Sequence, residues 1–165
     1  MRWHLSIAAI VWVALIASTV SAQSWDPFPS LPEDGHLGIA PTLDNPSYEK
    51  ARTCLKQLST KGGPQHYGAV VDVTDHGGQA IPSANNAVPY VDALYQSWKV
   101  KHALPRQNHV LIVLGLKNRA VAIHPGSQWS DLGFRQSAIT AIIDGSSFKA
   151  NARNGDYPEA LCALT

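Results

Sequence analysis

Two carboxylates and an imidazole crowd the stretch Asp72-Val73-Thr74-Asp75-His76, at the C-terminal end of a β-rich run. In an open α/β sheet the carboxyl ends of the strands are where ligands bind. Asp72 and Asp75 at such an end could hold a hard divalent cation such as calcium or magnesium through oxygen ligands. With His76 close by they could also do acid–base work. The plainer reading of the same residues is that Asp72 is an outward strand residue and Asp75 caps the following turn.

Two further polar clusters lie downstream. Arg106, Gln107, Asn108 and His109 precede the most apolar segment of the chain and could line a polar pocket. They could equally be a loop facing water, with His109 a hydrogen-bonded boundary histidine. The segment His124-Pro125-Gly126-Ser127-Gln128-Trp129 offers backbone amides near Gly126 and the Ser127 hydroxyl for an anion, and Trp129 as a contact aromatic. A turn followed by a packed aromatic explains the segment as well. His124 is the candidate proton carrier of this group. His36, His66 and His102 show no metal-ligand spacing. The chain has no GxxxxGK[ST], GxGxxG, GxSxG, HExxH or EF-hand loop, which argues against an NTPase, a dinucleotide enzyme, a lipase-type hydrolase and a zincin.

The elements that must position these residues follow from pattern. Residues 1–22 read as a secretory signal peptide, with a polar start, an apolar run Leu5–Ala17 and small residues Val20 and Ala22 before the cut. Removing it takes Arg2 and no acid, leaving 12 basic and 12 acidic residues. A chain of zero net charge is no nucleic-acid binder. Of the 165 residues 45% are hydrophobic and 15% charged, enough apolar residues for the core of one domain. Cys54 and Cys162 survive in an oxidising compartment, without a Cys-x-x-Cys, and form the expected disulfide.

Residues 23–46 are rich in Pro, Gly and Asp and read as an irregular arm. From 47 to 165 the pattern predicts helix 48–59, strand 67–74, helix 90–101, a buried strand 109–114 paired with 120–123 as a hairpin, and a helix from about Leu132 to Ile143 capped by Asp131. Residues 144–154 connect to a last helix capped by Asp156, with Pro158 in its first turn. That order predicts a small layered α/β sandwich.

The block Gly155-Asp156-Tyr157-Pro158-Glu159-Ala160-Leu161 resembles the "G-D-Y-x-x-A-L" ending of the TPM domain family. This family includes thylakoid-lumen photosystem II repair proteins, bacterial extracytoplasmic proteins and an animal levamisole-receptor modulator. Asn108-His109-Val110-Leu111-Ile112-Val113-Leu114 resembles the family's "D-N-G-V-L-L-L" block, and His124-Pro125-Gly126 its glycine turn. The resemblance covers residues 48–165. It implies a three-layer α/β/α sandwich with a small, mostly parallel mixed sheet containing one hairpin. It also implies one of two activities. The first is a secreted or periplasmic interaction, assembly or modulation module for a membrane complex or receptor. The second is an acid-phosphatase-like hydrolase with a divalent cation on loop carboxylates, for which this chain offers Asp72 and Asp75 together with His124 or Arg106 as one catalytic site. A membrane tether would follow if the natural chain extends past Thr165. The chain departs from the family where it carries Gln107 for an Asp, His109 for a glycine, and no acid in Ser127-Gln128-Trp129. Losing two loop acids removes oxygen ligands a hard cation needs, so the module is the expected reading and the hydrolase the alternative.

Overall fold

The structure is a computed structural model. It describes residues 28–32, 35–43, 45–59, 64–72, 81, 87–102, 108–117 and 119–164. The expected signal peptide, residues 1–22, lies outside the described residues.

The sheet has four strands in the order β1 (Leu37–Ile39), β2 (Gln65–Val71), β3 (His109–Gly115) and β4 (Ala120–Pro125). β1, β2 and β3 are parallel, and β4 closes the sheet as the antiparallel arm of a hairpin. β3 is buried at every position. This is what an unbroken apolar run means when helices cover both faces of a parallel strand. The α/β class, the mostly parallel mixed sheet and the hairpin are as the sequence predicts.

Strand alternation sends successive side chains to opposite faces. Tyr67, Ala69, Val71, Leu111 and Val113 point to the first face, under α2 (Ala87–His102), which contributes Tyr90, Val91, Leu94, Tyr95 and Trp98. Val70, Val110, Ile112 and Leu114 point to the second face. There they meet α1 (Glu49–Ser59), α5 (Phe148–Arg153) and α6 (Tyr157–Ala163). Two further helices are α3 (Ser127–Asp131) and α4 (Gln136–Gly145), and a 3-10 turn at Asn45–Tyr48 leads into α1. The connections β1–α1–β2 and β2–α2–β3 step the same way across the sheet with their helices on opposite faces. The two crossovers therefore differ in hand, and one departs from the usual right-handed rule.

The arm expected at 23–46 is not wholly irregular, because β1 lies within it. Three residues with a central glycine carry too little pattern to read as a strand. The glycine is required by close approach, since a Cβ on Gly38 would sit 2.5 Å from Trp98 Cζ2. The Trp98 indole N–H also donates to the Pro29 carbonyl at 2.8 Å, fastening the segment before β1 to α2.

Asp131 was expected to cap a helix over 132–143. Instead it ends α3, and α4 starts at Gln136 after the positive-φ turn at Gly133. The segment 144–154 was expected as a connection, yet it holds α5. Asp156 does cap α6, its carboxylate accepting from the Glu159 amide at 3.1 Å. The disulfide Cys54–Cys162 joins α1 to α6 with a Cα separation of 5.5 Å, and a Lys50–Glu159 ion pair lies between the same helices.

Candidate functional site

The register of the sheet fixes where each candidate residue sits. Asp72 follows Val71, which lies opposite Gly115 at the far end of β3. His124 lies opposite Leu111, near the start of β3. At least four strand residues separate the two levels, about 13 Å at about 3.3 Å per residue. Asp72 and His124, expected to share a catalytic site, therefore stand at opposite ends of the sheet. Asp75, His76, Arg106 and Gln107 lie outside the described residues.

At the Asp72 end, the carboxylate is one-third exposed and sits 3.8 Å from the Lys117 ammonium of the hairpin turn. A divalent cation needs several oxygen ligands and no competing positive charge. The residues described here, one carboxylate with an ammonium beside it, do not fit such an ion. Among the described residues there is no group of three or more His, Cys, Asp or Glu side chains able to hold a metal.

The opposite end is where the structure gathers the remaining candidates. His109 and His124 both point to the first face, under α2, as alternation with Leu111 and Ala122 requires. The Tyr95 ring stacks on His109 at 4.3 Å and 11°, and lies 5.8 Å from His124. The two imidazoles are 5.7 Å apart. His124 Nε2 is 3.0 Å from an Asp92 carboxylate oxygen. That contact makes Nε2 the N–H donor and leaves the lone pair of neutral His124 on Nδ1. Nδ1 is buried and has no hydrogen-bond partner among the described residues.

A carboxylate orienting an imidazole is half of a general-base arrangement. The other half is a nitrogen able to reach a substrate proton. Here that nitrogen is shut away from solvent. His109 is 1% exposed and lies beneath Tyr95. The cluster is built as packing with a polar rim, and it ties β3, β4 and α2 together.

The loop residues beside it are also committed. The Gly126 amide, expected as part of an anion site, donates to the His109 carbonyl at 2.7 Å. This bond prolongs the β3–β4 ladder. Trp129, expected as a contact aromatic, donates its indole N–H to Asn108 Oδ1 at 3.1 Å. Ser127 is exposed at the start of the five-residue α3. Asn108, Gly126, Ser127 and Trp129 do converge, as a corner joining the start of β3 to the end of β4.

Sequence reasoning missed both Asp92 and Tyr95 as members of this cluster. The signal was present: Asp92 and Tyr95 are one turn apart on α2, and His124 alternates with a core-facing alanine.

A third polar knot holds the start of β2. His36 Nδ1 donates to the His66 carbonyl at 2.8 Å, and Ser59 Oγ lies 3.2 Å from the same nitrogen. Ser59 Oγ donates to Leu55 O and accepts from the His66 amide. Burial pushes the His66 imidazole below its usual range; nearby His36 adds to this, and a bond to the Pro64 carbonyl opposes it.

These features define the class: an α/β domain with a four-stranded mixed sheet, clamped by one disulfide. A disulfide of this kind persists outside the reducing cytoplasm, and none of the described helices is long and apolar enough to cross a membrane. No protein-family model matches the chain, and none of the curated proteins does. Among solved structures, it is similar to the N-terminal domain of the cg2496 protein from Corynebacterium glutamicum, determined in solution by NMR. The two are 14% identical, with a TM-score of 0.49, and the match covers 79% of this chain and 75% of that one.

Proposed function

We propose that the chain is an extracytoplasmic interaction module of TPM type, exported by the signal peptide at residues 1–22, that supports or modulates a membrane protein complex. One observation carries the reading: the two members of the candidate catalytic set among the described residues, Asp72 and His124, are kept apart and separately engaged. Asp72 is held by Lys117 at one end of the sheet, and His124 is held by Asp92 at the other with its second nitrogen buried. Electrostatic catalysis of phosphoryl transfer needs groups converging on one phosphate, and these do not converge.

The alternative is a phosphatase-like hydrolase built on Asp72 and Asp75 with a divalent cation. Hydrolysis of a generic phosphomonoester by residues 23–165, with and without calcium, magnesium or manganese, separates the two. The expected result is no turnover above that of the Asp72→Ala/Asp75→Ala double variant. Cation-dependent turnover that disappears in the double variant would replace the module reading with the hydrolase.

A further inference from the structure

We propose that the cleft on the second face of the sheet, between the end of α6 and the α3–α4 segment, binds one small uncharged ligand that is mostly alkyl. The cleft encloses about 400 Å³, within the range of small-molecule sites. Its floor is Val110 and Ile112 of β3 with Ile123 of β4, the last two being direct cross-strand neighbours. Its walls include Trp129, Ile142 and Leu164.

The cleft exists because the second face is roofed from two separate stretches of chain. α1, α5 and α6 cover one part, and Trp129 of α3 and Ile142 of α4 border what they leave. The helices involved are short, and α6 ends at Ala163 beside the opening. The aliphatic floor between the two roofs is left for something else to cover.

The lining decides the ligand's chemistry. No Asp, Glu, Lys or Arg borders the cleft among the described residues. A charged ligand would leave water without a counter-charge, which is costly. The Trp129 N–H is already given to Asn108. His66, at the edge beside Val110, is kept toward its neutral form by burial. An alkyl chain with at most one neutral polar group matches these walls, whereas a carboxylate or phosphate does not. The inference does not depend on the interaction-module reading, since the cleft could stay empty in a working module.

The test is a methyl NMR titration of the disulfide-bonded protein with 1-octanol, and with octanoate at pH 8. The expected result is saturable shifts confined to Val110, Ile112, Ile123, Ile142 and Leu164 with 1-octanol, and none with octanoate at the same concentration. Ile142→Trp at the half-exposed mouth and Ala163→Leu at the end of α6 should each weaken binding tenfold or more. Both variants are to be checked for the intact disulfide and an unchanged circular dichroism spectrum; a variant that fails the check leaves the other to decide. Shifts that do not saturate, equal binding of octanoate, or full affinity in a folded filling variant would overturn the proposal. So would association only with phosphatidylcholine vesicles, which would make the face a lipid-contacting surface instead.

Discussion

The two faces of the sheet solve the same covering problem in opposite ways. The first is roofed by one 16-residue helix, α2, with a dense stripe of Tyr90, Tyr95 and Trp98. The second is roofed by several pieces, of which α5 and α6 have six and seven residues. Helices that short are not stable by themselves in water. They persist because aliphatic side chains dock them and the disulfide ties α6 to α1. One long aromatic helix needs only its own burial; a patched roof needs a staple.

The largest expected effect tests that staple. Replacing Cys54 and Cys162 together by alanine reopens a loop of 108 residues. The chain-entropy relation gives a loss of about 4–5 kcal/mol. The loss should fall unevenly: amides of α6 and α5 should exchange with solvent before those of α2. Uniform acceleration over both faces, measured by native-state hydrogen exchange, would erase the contrast.

A smaller effect is expected on the first face. Trp98→Phe removes ring volume and the hydrogen bond to Pro29, for a cost of about 2 kcal/mol. Because Trp98 also packs on Gly38, the variant should loosen β1 more than β4. Denaturation midpoints give the cost, and protection of the Ala40 amide, which donates to the Val70 carbonyl of β2, gives its location. A loss spread evenly over the sheet would show that Trp98 is bulk filling and does not anchor the arm.

Much of this was legible in the sequence, and the misses have physical causes. β3 and β4 were readable because a long apolar run and a compact turn leave few alternatives. The cap at Asp156 was readable because a helix N-terminus needs an acceptor that local sequence supplies. β1 was not, because Leu37 and Ile39 become a strand only through pairing with β2, and pairing across the chain leaves no local periodicity. Asp131 misled because an aspartate before an apolar stretch looks like a cap whether it starts one helix or ends another. The candidate site divided along the same line. Asn108, Gly126 and Trp129 converge, but as backbone and side-chain ties of a corner. The separation of Asp72 from His124 could be seen only once the strand register was known.

The smallest effect concerns the knot at His66, at the edge of the second face. Its imidazole titrates below the ordinary value of 6.5 when folded, chiefly through burial and secondarily through His36. The unfolded chain therefore binds the proton more tightly. Stability rises with pH wherever the unfolded state holds more protons, so this contribution is complete above about pH 6.5. It is lost as pH falls through 6.5 toward the lower folded value. Denaturation midpoints taken at pH 7.5 and 5.0 should drop further in the native protein than in His66→Gln, which has no proton to take up. An equal drop in the two proteins would show that the His66 imidazole carries none of the acid sensitivity of the fold.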